Sequence, residues 1–146
     1  MKRLRKFLSL TPRDRRLLLS AAFLLGAIRL GLSLLSFQTL RRLLAHVTQT
    51  PTRLRNADQS FPDRIAWAVA VASRYVPKAT CLTQALATQV LCARQGHTAC
   101  LCIGVAKGER GHLEAHAWVE SQGRIVIGGS AVEHYTLLSA FEAERP

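Results

Sequence analysis

Apolar and polar residues repeat with two different periods along the chain, and the change of period divides it into two kinds of structure. Four segments carry apolar residues at helical spacing, namely 17–36, 38–46, 64–75 and 81–94. Three later segments alternate between apolar and polar residues or are short and apolar, namely 99–105, 113–120 and 124–127. Alternation predicts half-buried strands, and the Gln122-Gly123 turn predicts a hairpin. Helices followed by a small antiparallel sheet predict an α+β fold.

The longest apolar segment, 17–36, has about the length that crosses a bilayer. Thr11-Pro12 predicts that its helix begins upstream, with Thr11 as the cap. The segment contains Arg29, and placing an arginine at the centre of a bilayer costs about 2.5–3.5 kcal/mol of insertion free energy. One face of the helix would consist of polar or small residues: Arg15, Ala22, Gly26, Arg29, Ser33 and Ser36. No small-residue cleavage site follows. The pattern favours a helix docked on protein, with peripheral membrane contact and a true span as the alternatives.

The composition predicts three regions. Residues 1–46 form a basic, leucine-rich helical arm, and residues 47–63, rich in Thr, Asn, Asp, Ser and Pro, form an exposed linker. Residues 64–146 hold the remaining helices and all the predicted strands. We expect this last region to be the catalytic domain.

The net charge of +11 is concentrated in the first part of the chain. Residues 1–60 hold 12 Lys/Arg and 2 Asp/Glu, whereas residues 61–146 hold 8 and 7. Such an arm attracts an acidic peptide, a partner protein, nucleic acid or an anionic membrane. We expect no nucleic acid, because the arm is dominated by leucine and offers no aromatic stacking platform.

The four cysteines are interpreted as reduced thiols of a cytoplasmic protein, because a chain so rich in Leu, Ala and Val needs no disulfides. Cys92, His97, Cys100 and Cys102 form a C-x4-H-x2-C-x-C cluster, which suggests structural zinc as an alternative. The predicted helix end, turn and strand would separate these ligands. We therefore expect neither a metal nor a cofactor.

Cys81 and His116 are the candidate catalytic pair. Thr80 is a suitable N-cap and Gly96 a suitable C-terminal signal, so Cys81 is expected to open a helix. The unpaired N–H groups and the dipole of a helix N terminus stabilise a thiolate. His116, on the polar face of a predicted strand, is suited to act as its base. The alternative is structural: a small buried cysteine and a hydrogen-bonded strand histidine.

The residues resemble a known family. The segments Arg64-Ile-Ala-Trp-Ala-Val, Cys81-Leu-Thr-Gln-Ala-Leu-Ala and Ala115-His-Ala-Trp-Val-Glu, in this order, look like the leader peptidases of lasso-peptide biosynthesis. Those enzymes belong to the transglutaminase-like, papain-related cysteine hydrolases. The resemblance implies Cys81 as nucleophile and His116 as general base and then acid. The fold it implies is a helix bearing the cysteine, packed on a small antiparallel sheet bearing the histidine.

The resemblance also implies partners. The substrate would be the leader region of a precursor peptide, and an ATP-dependent lasso cyclase would close the ring afterwards. Leader recognition is expected to come from a separate protein, since the sequence leaves no room for that domain. The basic arm would dock on one of these partners.

The third catalytic position departs from the family pattern, which places an acid about a dozen residues after the histidine. The hairpin register sets His116 opposite Gly129, beside Gly128, so no carboxylate is expected there. A backbone carbonyl, Ser130, Glu133 or Glu120 are the alternatives, as is a dyad without a third group.

Three other side chains, one polar and two aromatic, are candidates for a role beside the catalytic pair. Gln84 is a weaker oxyanion donor than the Cys81 amide. Trp67 and Trp118 are expected in the core or in a pocket wall.

Two further functions stay open. One is a non-catalytic module that binds a precursor or a membrane through the arm. The other is acyl transfer by the same Cys-His pair.

Overall fold

The computed structural model describes residues 1–48, 61–129 and 132–142. The helices in this part are α1 (Lys2–Leu8), α2 (Pro12–Leu34), α3 (Phe37–Thr48), α4 (Phe61–Ser73) and α5 (Cys81–Arg94). The strands are β1 (Cys100–Lys107), β2 (Leu113–Ser121), β3 (Arg124–Ile127) and β4 (Thr136–Glu142), with a 3-10 turn at Val132–His134 before β4. The predicted α+β class is confirmed.

The four strands form one antiparallel sheet in the order β3-β2-β1-β4. β4 has no counterpart in the sequence prediction. It pairs with β1, and the register shifts between Ile103 and Gly104, so that Leu138 is an extra residue between the paired Leu137 and Ser139. This bulge breaks the alternation that a regular strand would show.

Helix α5 is the centre of the molecule. Thr83 and nearly every residue from Ala85 to Cys92 are buried, because α2 and α4 pack against this helix on one side and β2 on another. Gln89 is the buried polar residue that joins it to the sheet edge. Its amide nitrogen donates to the carbonyl oxygens of Ala99 (3.3 Å) and Phe141 (2.7 Å). These bonds fix the position of α5 relative to β1 and β4.

Helix α2 begins at the predicted cap and joins the same core. The Thr11 side chain accepts a hydrogen bond from the Asp14 amide, and the Asp14 carboxylate pairs with Arg64 of α4. Its inner face is fully or almost fully buried, and consists of Leu18, Ala21, Leu25 and Ile28. The predicted arm therefore contributes its longest helix to the core that surrounds α5.

The predicted linker, 47–63, falls mostly on residues 49–60, which lie outside the described residues. Its first two residues belong to the end of α3, and its last three form the start of α4. Asp63 makes an ion pair of 2.9 Å with Arg124 at the start of β3. The predicted start of α4 at Arg64 is thus three residues late.

Candidate active site

Cys81 is the first residue of α5, and its helix is capped as the sequence predicts. The Thr80 side chain accepts from the Thr83 amide at 3.3 Å, and the Thr80 carbonyl accepts from the Gln84 amide at 3.0 Å. The amides of Cys81 and Leu82 belong to the first turn, where no intrahelical acceptor exists. Cys81 is half-buried and contacts the core cluster. A thiolate or an oxyanion at this position meets the positive end of the helix dipole.

His116 lies in β2, and its ring makes one short hydrogen bond. Nε2 lies 2.7 Å from the carbonyl oxygen of Gly128. A carbonyl oxygen only accepts hydrogen bonds, so Nε2 carries the proton. In the neutral ring, Nδ1 is then the unprotonated nitrogen, which is the one able to take a proton.

The backbone at Gly128 explains how a carbonyl, and not an acidic side chain, comes to face His116. Val119 pairs with Ile127 and Glu120 with Ile125, so Val126 is an extra, unpaired residue in β3. This bulge shifts the pairing of β3 with β2 by one residue. Gly128 has φ +77°, and a Cβ there would lie 2.7 Å from the Ala117 carbonyl oxygen. Only glycine allows the chain to pass β2 this closely while its carbonyl meets the imidazole.

Two aromatic rings contact the imidazole. The ring of Trp118 stacks at 6.1 Å and 24°, and the ring of Tyr135 lies at 5.1 Å and 31°. Gly104, paired with His116 on β1, leaves space for both side chains: a Cβ there would lie 2.9 Å from the Trp118 ring and 3.0 Å from the Cβ of Tyr135. The sequence analysis did not single out Tyr135, which follows the 3-10 turn and carries no local motif.

None of the side chains predicted as alternatives for the third catalytic position is seen hydrogen-bonded to His116 in the described part of the chain. Glu120 accepts a hydrogen bond from the indole N–H of Trp118 at 3.0 Å. Glu133 is exposed in the 3-10 turn, and Ser130 lies outside the described residues. The group that the structure gives to His116 is the Gly128 carbonyl, which was one of the predicted alternatives.

Cys81 and His116 lie on elements that pack directly on each other, α5 and β2. Cys81 contacts the core cluster that includes Ala117, whereas His116 lies on the face of β2 that carries Trp118. The imidazole hydrogen bond in this structure is to Gly128 and not to the thiol.

Two of the remaining cysteines, Cys92 and Cys102, are poor nucleophiles. Burial raises the pKa of Cys92 to about 12. Burial, together with the nearby Cys100 and Glu120, raises the pKa of Cys102 to about 12. The sulfur atoms of Cys100 and Cys102 lie 3.9 Å apart as free thiols. Among the described residues, no group of three or more His, Cys, Asp or Glu is arranged to hold a metal ion.

The positions of the Gln84 and Trp67 side chains bear on the roles predicted for them. The side-chain amide of Gln84 donates to the Ala79 carbonyl at 3.2 Å, which directs it towards the loop before α5. Trp67 is 42% exposed, so it does not lie in the core, which was one of the two positions expected for it. The core face of α4 is formed by Ile65, Ala68, Val69 and Ala72, and position 67 lies on the other side of the helix.

Comparison with known proteins assigns the family. The family model of the transglutaminase-like superfamily matches residues 22–140, which include α5, the whole of β2 and most of α2. No curated protein and no solved structure matches the chain. The match covers most of the chain and contains both Cys81 and His116 in the predicted order. The chain therefore belongs to the transglutaminase-like superfamily.

Proposed function

We propose that this protein is a cysteine peptidase that removes the leader from a lasso-peptide precursor, with Cys81 as nucleophile and His116 as general base. The observation that carries the proposal is the His116–Gly128 hydrogen bond. It places the proton on Nε2 and leaves Nδ1 as the acceptor, which is the protonation state that a base for a thiol needs. Members of this superfamily are commonly cysteine peptidases or acyltransferases.

The first chemical step forms a thioester. This step requires the imidazole to approach the Cys81 thiol, to which it is not hydrogen-bonded in this structure. On that approach Nδ1 of His116 takes the proton of the Cys81 thiol, and the sulfur attacks the carbonyl carbon at the end of the leader. The Cys81 amide, at the open end of α5, stabilises the negative charge that develops on the oxygen. His116 then gives its proton to the departing amine, and the core peptide leaves with a free N terminus.

The second step restores the enzyme. His116 takes a proton from water, which attacks the thioester, and the leader leaves with a new carboxylate while the sulfur regains its proton. The Gly128 carbonyl stabilises the imidazolium that forms in both steps, since Nε2–H then donates to it with a positive charge. This backbone group performs the orienting role that a carboxylate performs in a triad.

The proposal includes partners and a compartment. A separate leader-recognition protein presents the precursor, and an ATP-dependent cyclase uses the freed N terminus. The reduced state of all four cysteines favours the cytoplasm, where such thiols persist.

The test of substrate class uses a lasso-peptide precursor together with its leader-recognition protein. The wild-type protein is incubated with the precursor and its recognition protein, and the products are weighed by mass spectrometry. We expect one cut, at the end of the leader, and none in a precursor whose leader sequence is scrambled. Cutting of both peptides at equal rates would contradict a leader peptidase.

The same spectra separate hydrolysis from acyl transfer. Hydrolysis leaves a carboxylate on the leader, and transfer leaves an amide when an amine is added. We expect the carboxylate product to dominate at millimolar amine. If nearly all of the released leader were instead joined to the added amine through an amide bond, the Cys-His pair would be assigned to acyl transfer.

A further inference from the structure

Helix α2 has two apolar faces, and only one of them is explained by the fold. The inner face packs into the core around α5. The outer face, on the opposite side of the helix, is exposed and carries Leu19 (61%), Phe23 (78%), Leu30 (61%) and Leu34 (73%). Their spacing of four, seven and four residues places them in one stripe along the helix.

The outer face is uncharged along most of the helix. The exposed residues of α2 between 19 and 34, all within the described chain, include no charged side chain. The other exposed positions are small: Ser20, Gly26, Ala27 and Ser33. A 23-residue helix is about 34 Å long. A long, apolar stripe of this kind on a soluble protein marks an interaction surface.

Positive charge is concentrated in the helix that precedes this stripe along the chain. Helix α1, which buries none of its residues, carries Lys2, Arg3, Arg5 and Lys6, together with exposed Leu4 and Leu8. Residues 1–48 contain ten Lys/Arg and a single acid, Asp14. That acid is paired with Arg64, so the cations of α1 face no competing carboxylate of the arm.

We propose that α1 and the outer face of α2 bind the surface of an anionic lipid bilayer. The apolar stripe of α2 lies among the acyl chains just below the headgroups, and the cations of α1 meet the anionic headgroups. The complementarity of charge argues for an anionic partner, and the length of a stripe made of Leu and Phe argues for an extended apolar surface. An acidic protein is the competing partner, and the experiment below separates the two.

The helix lies on the bilayer and does not cross it. By length and composition α2 is able to span a membrane, as are many core helices and signal sequences. Its inner face, however, is buried among side chains of the core, with Leu25 and Ile28 at 0% and 1% exposure. Crossing the bilayer would remove this face from α4 and α5.

The binding test is vesicle flotation with the full-length protein. Vesicles of phosphatidylglycerol and phosphatidylcholine are compared with vesicles of phosphatidylcholine alone, at low and high salt. We expect flotation with the anionic vesicles only, and release at high salt, because screening weakens the attraction to the headgroups.

Two matched pairs of variants locate the surface. Replacing the four cations of α1 by Gln lowers the partition coefficient about 100-fold or more. The control removes four exposed cations elsewhere, Arg74, Lys78, Lys107 and Arg110, and lowers it far less. Phe23→Ser weakens binding, whereas Leu113→Ser, at a residue 72% exposed on β2, leaves it unchanged.

Four results would overturn the proposal. The first two are that the folded wild type does not float with anionic vesicles, or that it floats equally with neutral ones. The third is an equal loss of vesicle binding in a variant and its control. The fourth is that the protein stays with the vesicles after alkaline carbonate extraction, which indicates a helix that spans the membrane. Binding to an acidic protein without any flotation would assign the stripe to that class of partner. Vesicle binding does not depend on the thiol, so Cys81→Ala is expected to float like the wild type even if the proposed peptidase activity is refuted.

Discussion

The imidazole Nε2 of His116 lies 2.7 Å from the carbonyl oxygen of Gly128, so the partner of the imidazole is a backbone carbonyl, one of the predicted alternatives to a carboxylate. A carbonyl fixes the tautomer as firmly as a carboxylate does, because both only accept. It carries less negative charge, and therefore stabilises the imidazolium less. The orientation of the base then depends on the path of the chain at Gly128 and on the rings of Trp118 and Tyr135.

The first prediction concerns the chain path. Gly128→Ala places a Cβ 2.7 Å from the Ala117 carbonyl oxygen, which forces the chain outward and moves the acceptor away from His116. We expect kcat for precursor cleavage to fall about 10–100-fold, since small misplacements of a catalytic group have effects of this order. The measurement is steady-state cleavage at a temperature where the variant is folded.

Gly111→Ala is the matched control. Gly111 has nearly the same φ, +76°, but a Cβ there meets nothing within 4 Å. Both variants pay the left-handed penalty of about 1–2 kcal/mol in stability, and only Gly128→Ala should lose activity. Equal kcat values in the two variants would refute the role of the Gly128 carbonyl.

The second prediction concerns thiol reactivity. The raised pKa values, about 12, keep Cys92 and Cys102 protonated at pH 8, and both are buried. Cys81 lies at a helix N terminus, so we expect iodoacetamide to label it at least about tenfold faster than either of them. Peptide mapping after short exposures measures the rates. Uniform slow labelling of the folded protein would favour a non-catalytic module.

The third prediction assigns a positioning role to Tyr135. Its ring lies 5.1 Å from the ring of His116, and the contact uses the ring face and not the hydroxyl. We expect Tyr135→Phe to keep activity within about twofold and Tyr135→Ala to lower kcat about tenfold, with a shift in the pH profile of kcat. An unchanged profile in Tyr135→Ala, with only a lower melting temperature, would show a structural role alone.

The fourth prediction concerns the pH dependence of the ion pair between Asp14 of α2 and Arg64 of α4. The Thr11 hydrogen bond, together with Arg64, lowers the pKa of Asp14 below its ordinary value of 3.8, against the opposing effect of burial. A lowered folded-state pKa adds stability at pH values above 3.8, and this stability is lost as the pH falls through the folded value. We expect Asp14→Asn to lower Tm at pH 7 and to equal the wild type at acid pH.

Asp63→Asn is the control for that experiment. Asp63 is also in the first turn of its helix, but its pair with Arg124 is about half exposed on both sides. Exposed ion pairs contribute little, so we expect a smaller change in Tm. A Tm difference for Asp14→Asn that is constant from pH 7 down to pH 3 would contradict the account of the Asp14 carboxylate.

Local signals explain what the sequence predicts correctly. The bounds of α5 agree with the expected 81–94, because Thr80 caps one end and Gly96, at φ +79°, ends the other. The alternation in β2 correctly places Ala117 and Val119 in the core. These features depend on neighbouring residues, and a single sequence contains them.

Non-local features explain what it misses. The partner of His116 is a backbone carbonyl, which has no residue type to detect, and a bulge at Val126 sets its register. The bulge at Leu138 breaks the alternation of β4, so the sequence pattern does not predict this strand. Tyr135 is distant from His116 in the sequence, and only the folded chain brings the two rings into contact. The outer face of α2 is apolar like the inner one, so periodicity alone does not distinguish the face that packs from the face that is exposed.

The most direct test of the proposed mechanism compares Cys81→Ala with Cys100→Ala in precursor cleavage, by the masses of the products over time. Both variants remove one half-buried thiol, and only Cys81 opens α5. We predict that Cys81→Ala yields no cleaved leader while Cys100→Ala cleaves at close to the wild-type rate. Cleavage at the wild-type rate by a folded Cys81→Ala protein would contradict the proposed mechanism.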